Sequence, residues 1–341
     1  MTIRSWILLW VAVALVSGCG ADYRQADTST FVRAFRPYIG ERWIGNAVSY
    51  GPHRHGQYPG GPSPSIDQIR EDLGIMLRHW NLLRTYGAIG SAEKMLETIR
   101  KDRLDMKVML GVWIAVEELR GENGEVVEAF PEAREANRRQ VDAGIRLANE
   151  YSDIVVAVCV GNETQVAWSA HHSPLDILIG HVRRVRAATR VPVTVADDYN
   201  FWNKPESHQL ATELDFIVMH AHPMWNGILE DDAFDWTRDT YRAIVAEHPN
   251  RLVVYGETGW ATMTHTEGEQ ARLIKGRAGE AEQAAFFDAM TRWAKRERVT
   301  VFFFEAFDEN WKGGEHPDEV EKHWGLYSAN RAPKLAVRRG D

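Results

Sequence analysis

The chain has 341 residues, of which 44% are hydrophobic and 26% are charged, and its formal net charge is -8. This composition, without repeats or low-complexity tracts, is typical of a soluble globular protein with a large core. An acidic chain that lacks clusters of Lys and Arg repels phosphate groups, so nucleic acid is excluded as a partner.

The first 18 residues predict a lipoprotein signal peptide. Arg4 precedes an apolar stretch that is too short to serve comfortably as a membrane span. The following "LVSGC" resembles the lipobox of bacterial lipoproteins and makes Cys19 the expected lipidation site, although an ordinary signal peptide cut one or two residues later is the alternative. We therefore expect export, a lipid anchor in a bacterial membrane, and a flexible tether over residues 19–35.

Eight short runs rich in β-branched or aromatic residues follow, and each predicts a strand. They lie at residues 44–50, 81–87, 107–114, 154–161, 191–198, 215–222, 251–257 and 299–307. Amphipathic stretches between them, with apolar residues at spacings of three and four, predict helices. They lie at residues 65–80, 91–104, 132–151, 174–189, 233–248 and 280–298.

Alternation of strand and helix predicts the fold. Eight such units over roughly 290 residues indicate an α/β protein with a single (β/α)8 TIM barrel, which we expect over residues 36–341. An open doubly wound sheet would usually have a glycine-rich first turn with GxGxxG spacing, and "YGPHRHGQYPGGPSP" lacks that spacing.

Polar residues that close the predicted strands are candidates for chemistry, because barrels of this kind carry their active site at the carboxyl ends of the strands. Glu163 closes predicted strand 4 in "VGNE", and Glu257 closes predicted strand 7 in "YGETGW". About three βα units separate them, so they are expected to face each other across the barrel mouth. Glycoside hydrolysis requires such a carboxylate pair, whereas either glutamate alone is equally well explained as the partner of an arginine such as Arg84.

Several longer stretches extend this pattern. "VGNE", "GETGW" and "FEAFDENWKGGEHPDEVEKHWGLY", preceded by "SYGPHRHGQYPG" and "LLRTYG", resemble family 17 of the glycoside hydrolases, the β-1,3-glucanases and glucanosyltransferases of clan A. The resemblance covers about residues 40–335 and implies a retaining double displacement on β-1,3-glucan. It implies that Glu163 is the acid/base and Glu257 the nucleophile. Water as acceptor would make the protein a hydrolase and a second glucan would make it a transglycosylase, and the sequence leaves both open.

The resemblance also implies positions for the substrate. Asn162 would bind the 2-hydroxyl group of the reacting sugar, Tyr50 and Tyr86 would line that subsite, and Glu309 and Lys312 would form part of its polar floor.

Tryptophans at or beyond the predicted strand ends are expected to line the groove, because their flat rings stack on sugars. They are Trp113, Trp202, Trp225, Trp260 and Trp311. The last three of these, together with Arg84 and His222, complete the predicted substrate-binding set.

The chain departs from the family pattern at two places. Ala261 follows Trp260 where family members often have proline, so we expect the next loop to take another path. Predicted strand 6 reads "HAHPMW" where plant members have a tyrosine before the proline, which leaves the role of His222 open. Short loops between the strands indicate a compact bacterial form without the subdomain that lengthens the groove of plant members.

Two alternatives compete with this interpretation. The pair His220 and His222 would place both rings on one face of a strand, as in zinc hydrolases, but those enzymes carry the pair on strand 1 with further ligands at later strands, so we predict no metal. A glucan-binding lipoprotein without activity would use the tryptophans, but it has no use for two facing carboxylates, whose repulsion is costly unless it tunes a pKa. We therefore predict a monomeric glycosidase without a cofactor that acts on β-1,3-glucan.

Overall fold

The computed structural model describes residues 31–338. Eight parallel strands form a closed barrel in which each strand pairs with its neighbours in chain order and the last pairs with the first. They are β1 (Asn46–Ser49), β2 (Leu82–Arg84), β3 (Lys107–Val112), β4 (Val155–Asn162), β5 (Val193–Asp198), β6 (Ile217–His220), β7 (Val253–Thr258) and β8 (Val301–Phe303). Each falls within or beside a predicted run, so the predicted (β/α)8 TIM barrel is confirmed.

Helices surround the barrel, one after each strand. They are α1 (Ile66–Met76), α2 (Ser91–Lys101), α3 (Pro131–Glu150), α4 (Leu175–Ala188), α5 (Ser207–Glu213), α6 (Ala233–Glu247), α7 (Glu280–Glu297) and α8 (Leu335–Arg338). The loops carry shorter elements. They are the helices Tyr199–Trp202 and Gly268–Leu273, the 3-10 turn Val320–Lys322, the hairpin of Tyr38–Ile39 with Arg42–Trp43, and the hairpin of Glu118–Arg120 with Val126–Ala129. Within residues 31–338, no helix combines the length and the apolar character needed to cross a membrane.

Local sequence explains where several helices begin and end. Helix α1 begins at a capping box in which the Ser65 side chain accepts from the Gln68 backbone and the Gln68 side chain accepts from the Ser65 backbone. Helix α3 begins with Pro131, whose fixed φ suits the first turn and whose missing N–H would have no helical partner there. Helix α7 ends at Arg298 in the left-handed conformation, after two basic residues that suit the negative end of the helix dipole.

The core forms two layers because successive residues of a strand point to opposite faces. One set of side chains fills the inside of the barrel: Ala47, Leu82, Met109, Ala157, Cys159, Ala196, Val218, Val254 and Phe302. The alternate set, such as Val48, Leu83, Val108 and Val158, packs between the barrel and its helices. Since the interior is filled with side chains, a ligand of any size has to bind at an end of the barrel.

The first described residues lie against the amino-terminal ends of β5 and β6. The backbone N–H of Arg33 donates to Asp215 Oδ1 over 2.7 Å, and the Phe35 ring stacks on Phe216 with centroids 4.5 Å apart. The packed body of the protein therefore begins before residue 36, where we expected the tether to end.

Three predictions fall on the amino-terminal part of the chain. The signal peptide at residues 1–18 and the lipidation site at Cys19 lie outside the described residues, as does the predicted tether up to residue 30.

Candidate active site

Glu163 stands on an irregular end of β4. The pairing of β4 with β5 shifts register between Cys159 and Asn162, and Gly161 and Glu163 both have left-handed backbones, with φ of 85° and 49°. That conformation is natural for glycine but strained for glutamate, and strain of this kind clusters at functional sites. The glycine and the glutamate in "VGNE" thus form one turn, which leaves the Glu163 side chain partly exposed at the mouth.

Glu257 lies near the end of β7, directly after a glycine that lets the neighbouring strand approach. A Cβ atom at Gly256 would lie 2.3 Å from Val218 Cγ1 and 3.0 Å from the His220 ring. Parallel pairing of β6 with β7 sets His220 opposite Glu257. The glycine in "YGETGW" therefore makes room for the imidazole beside the glutamate.

His220 connects the two glutamates. Its Nδ1 atom lies 3.0 Å from Glu163 Oε1, and its Nε2 atom lies 3.6 Å from Glu257 Oε1. One oxygen of each glutamate and one nitrogen of His220 all lie within 4.8 Å of one another. This separation fits a retaining glycosidase, whose carboxyl groups lie about 5 to 5.5 Å apart, and not an inverting one, whose groups lie about 6.5 to 9.5 Å apart.

Three basic side chains surround the carboxylate of Glu257. Arg84 donates to Oε1 over 2.6 Å, and Nε2 of His222 lies 3.4 Å from Oε2. Burial alone would raise the pKa of Glu257, but His220, Arg84 and His222 outweigh burial and hold that pKa well below its ordinary value. Glu257 is therefore ionised near neutral pH, as a nucleophile must be.

Arg84 also fixes Asn162, the residue expected to bind the 2-hydroxyl group. Its second guanidinium nitrogen donates to Asn162 Oδ1 over 2.5 Å. The guanidinium is buried beneath the site and does not line the cleft. The prediction that Arg84 binds substrate directly is therefore wrong, since its donors are directed at Glu257 and Asn162 and it acts through them.

A cleft with a volume of about 880 Å³ opens over these residues at the carboxyl ends of the strands. Loops after β1, β2, β3, β4 and β8 form its walls. Its polar and aromatic lining includes Tyr50, His53, Tyr58, Tyr86, Trp113, Asn162, Glu163, His171, Glu257, Glu309, Trp311, Lys312 and Glu321. The structure thus brings six predicted substrate-binding residues, Tyr50, Tyr86, Asn162, Glu309, Trp311 and Lys312, together with the catalytic pair.

A second group of charges lies after β8 and forms the predicted polar floor. Lys312 Nζ bonds both oxygens of Glu305 over 2.7 and 2.8 Å and lies 3.0 Å from Glu309 Oε2. His53 Nδ1 lies 3.2 Å from the other oxygen of Glu309. Burial raises the pKa of Glu305 well above its ordinary value, whereas Lys312 and His53 outweigh burial at Glu309 and lower its pKa to about 2.

Two of the strand-end tryptophans belong to the core. Trp260 is 0% exposed, and its Nε1–H donates to the carbonyl of Arg277 over 2.8 Å. Trp202 is equally buried and donates to carbonyl groups of β5 and β6. The prediction that Trp260 contacts glucan is wrong, because the chain between β7 and α7 folds back over the indole.

Trp225 and His222 lie behind residues of the cleft wall. The indole of Trp225 donates over 2.8 Å to Oε1 of Glu321, which lines the cavity, and its contact with glucan stays a prediction. His222 packs edge-on against Phe304 and Trp324, and its polar contact is with the Glu257 carboxylate and not with the cavity. Burial alone lowers the pKa of His222, but Glu257 more than reverses this and raises it.

The predicted set omitted several residues of the site, chiefly His220, His53, Tyr58, His171 and Glu305. "HAH" contained the signal for His220, because parallel pairing places the end of strand 6 beside the end of strand 7. Sequence offered no comparable signal for His53, Tyr58 or His171, since they stand on loops whose paths depend on packing.

Glu163, His220 and Glu257 also have the mutual spacing that a metal ion requires. Arg84 lies 2.6 Å from Glu257 Oε1, so a cation bound there would meet the positive guanidinium. The rings of His220 and His222 are 6.5 Å apart and approach different oxygens of Glu257. This donor set suits two carboxylates on either side of an imidazole that contacts Glu163 through Nδ1 better than it suits zinc.

A family model supplies the deciding observation: the BtgE/BtgC glycoside hydrolase domain matches residues 47–325, which include every strand of the barrel except the first residue of β1. The chain belongs to this family of glycoside hydrolases. Glu163 and Glu257 thus lie at the mouth of a glycosidase barrel, and the predicted enzyme class is confirmed. A glucan 1,3-β-glucosidase of Arthroderma benhamiae is 27% identical over 81% of this chain and 86% of its own length.

Solved structures agree on the fold. An endo-laminarinase from Formosa has a TM-score of 0.73 and 23% identity, and the match covers 87% of this chain and 88% of the other. A family 17 β-1,3-glucanosyltransferase from Rhizomucor miehei has a TM-score of 0.65 and 24% identity, over 85% of this chain and 96% of the other. Together with the family model, these findings confirm the resemblance to family 17 of the glycoside hydrolases.

Proposed function

We propose that this glycoside hydrolase cleaves β-1,3-glucosidic bonds of glucans by a retaining double displacement. The observation that carries the proposal is the short distance between the Glu163 and Glu257 carboxylates, which share His220 at the mouth of the barrel. The name of the Arthroderma relative, a glucan 1,3-β-glucosidase, supports the linkage.

The environments of the two glutamates support different roles. Glu257 is buried among three basic side chains that keep it ionised, so it is the group that attacks the anomeric carbon. Glu163 is more exposed and has no arginine or lysine among its ion-pair partners within the described residues, so it is the group that exchanges protons with the departing and arriving oxygens. Asn162, held by Arg84, stands next to Glu163 and is placed for the sugar hydroxyl beside the reacting carbon.

Release of reducing sugar from laminarin tests the proposal. Wild-type protein should release reducing ends from this β-1,3-glucan and not from a β-1,4-glucan of similar length, and Glu257→Gln and Glu163→Gln should abolish the release while both variants retain the far-ultraviolet circular dichroism of the wild type. A folded wild type without activity on laminarin, or a fully active Glu257→Gln, would exclude the proposed reaction.

We further propose that the protein is exported and lipid-anchored through Cys19. The support is the sequence "LVSGC" after a short apolar stretch that follows Arg4. A lipid chain binds membranes through its buried methylene groups, and more than one chain is needed for stable anchoring. Cys19→Ala should therefore move the protein from the membrane fraction to the soluble fraction, whereas Cys159→Ala should not. Membrane association that survives Cys19→Ala would contradict the anchor.

A further inference from the structure

Two aromatic side chains meet at nearly a right angle in the wall of the cleft that Glu163 also lines. Trp113 follows β3 and His171 lies in the loop after β4, and both line the cleft. Their ring centroids are 4.5 Å apart and their planes meet at 77°. An indole next to a perpendicular imidazole offers a flat apolar surface and a polar edge, which suits a sugar with an apolar face and a rim of hydroxyl groups.

The loop that carries His171 is held closed by its own hydrogen bonds. Ser173 N–H donates to the Thr164 carbonyl over 2.9 Å and joins the two ends of the loop. Gln165 N–H donates to Asp197 Oδ2 over 2.8 Å, and His171 N–H donates to Ser169 Oγ over 3.0 Å. These bonds fix the backbone on both sides of the imidazole, so the ring stands in a defined place next to the acid/base.

The ring of His171 is left available for a ligand. Neither of its nitrogens is hydrogen-bonded to another residue within 31–338, although the ring is half-buried. Burial lowers the pKa of His171, with Glu163 nearby opposing the shift, so the ring is neutral near neutral pH. A neutral imidazole has one donor and one acceptor, and sugar hydroxyl groups satisfy both.

We propose that Trp113 and His171 form the subsite that holds the departing sugar and then the acceptor sugar, and that they thereby set the ratio of glucan transfer to hydrolysis. The inference rests on the proposed function. Its reason is geometric: the oxygen that leaves the anomeric carbon must touch the acid/base, His171 stands in the loop that follows Glu163 and lines the same cleft, and Trp113 packs against His171. Trp311 and His53, the other indole and imidazole pair of the lining, come from the loops after β8 and β1, and His53 lies 3.2 Å from Glu309.

The subsite acts in the second half of the reaction. The 3-hydroxyl oxygen of a bound acceptor attacks the anomeric carbon of the glycosyl-enzyme, the bond from that carbon to the Glu257 oxygen breaks, and Glu257 leaves as a carboxylate. The hydroxyl proton passes to Glu163, which gave its own proton to the departing sugar in the first half of the reaction and is thereby restored as the acid. A sugar held against Trp113 competes with water for this step, so loss of the indole favours water.

Acceptor kinetics with an activated donor test the proposal. An aryl β-laminaribioside forms the glycosyl-enzyme, laminaribiose is added as acceptor, and mass spectrometry separates transfer products from hydrolysis products. Trp113→Ala and His171→Ala should each raise the laminaribiose concentration for half-maximal transfer on the order of ten-fold, because a stacked ring or a hydrogen-bonding edge is lost. Trp113→Phe should recover part of the loss.

Trp168 provides the matched control. It stands in the same loop, is 64% exposed and does not line the cleft, so Trp168→Ala should have the wild-type acceptor dependence. Acceptor dependence that is equal in Trp113→Ala, His171→Ala and Trp168→Ala, with the wild type active, would overturn the subsite and leave the proposed reaction standing. A wild type that releases no phenol from the donor would overturn both the subsite and the proposed reaction, because an acceptor can react only after the glycosyl-enzyme has formed.

Discussion

The barrel mouth holds two groups of buried carboxylates that look alike in the sequence and differ in their partners. In the first, Arg84, His220 and His222 converge on the single carboxylate of Glu257. In the second, the single ammonium of Lys312 lies between Glu305 and Glu309. Both groups contain glutamates at the ends of strands, so strand position alone does not distinguish them.

The difference shows what makes a carboxylate reactive. Glu257 and Glu309 are both held ionised and both line the cleft, but Glu257 also has the carboxylate of Glu163 facing it across His220, as a retaining reaction requires. In the second group, Lys312 lies between Glu309, whose pKa is lowered, and Glu305, whose pKa is raised by burial, so its ammonium is used within the protein. The first arrangement serves chemistry, and the second serves the shape of the floor.

Substitution of either catalytic glutamate should have the largest effect on activity. Glu257→Ala removes the nucleophile and should lower kcat/KM on the order of 10⁴-fold; azide then attacks an activated β-glucoside directly and yields the α-azide. Glu163→Ala still forms the glycosyl-enzyme, and azide yields the β-azide. Proton NMR of the anomeric signal distinguishes the α-azide from the β-azide. Glu309→Ala should give no azide product, and a swapped stereochemical pattern would reverse the assigned roles.

Removal of the shared cation should mainly affect stability. Lys312→Met removes the ammonium that lies between the buried Glu305 and Glu309 and leaves His53 as the basic neighbour of Glu309, and we expect the free energy of unfolding to fall by about 3 to 5 kcal/mol in urea titrations. Lys101→Met, which removes an exposed partner of Glu97, should cost less than about 0.5 kcal/mol. A Lys312→Met protein of wild-type stability that has lost activity would assign Lys312 to the chemistry.

The bridging imidazole should control the acidic side of the pH profile. Burial has the largest influence on the pKa of Glu257 and raises it. His220 has the next largest influence and lowers the pKa. Since Glu257 works as an anion, activity disappears as pH falls through this pKa. His220→Gln raises the pKa and should move the acidic limb of kcat/KM to higher pH, whereas His208→Gln at an exposed pair should leave it in place. An acidic limb that stays fixed in His220→Gln would contradict the bridge.

The smallest effect concerns the indole next to the second group. Trp311 is 40% exposed over the cleft, so Trp311→Ala should raise KM for long glucans by about five- to ten-fold with an unchanged melting temperature. Trp260→Ala should instead lower the free energy of unfolding by about 3 to 5 kcal/mol, because it empties a core site. If Trp311→Ala were destabilised to the same extent as Trp260→Ala, the ring would belong to the core.

The fold could be predicted because each barrel strand is buried on both faces and reads as a continuous apolar run that polar residues close. The catalytic pair followed from the same rule, since strand ends converge in a barrel. Strand position did not predict whether a ring at a strand end points into the cleft or into the core, as the buried Trp260 shows. Its environment is set by Gly276, where a Cβ atom would lie 2.7 Å from the indole, and by the Gln283 side chain, which donates to the Trp260 carbonyl.

The role of His220 needed one more step, namely the register of β6 against β7. The pattern "HAH" predicts that both rings lie on the same face of the strand. It does not predict which residue of the neighbouring strand each ring contacts. Arg84 shows the same limit: an arginine at a strand end binds substrate or supports other residues depending on whether carboxylates already use its donors.

The attachment of Arg33 and Phe35 to the amino-terminal ends of β5 and β6 has a practical consequence. The described chain starts at the end of the barrel opposite to the cleft. Coupling to a bead or a chip through an attachment point at Phe31 should therefore leave the substrate entrance pointing outward, whereas coupling through surface lysines would attach some molecules near the entrance and slow their access to polymeric glucan.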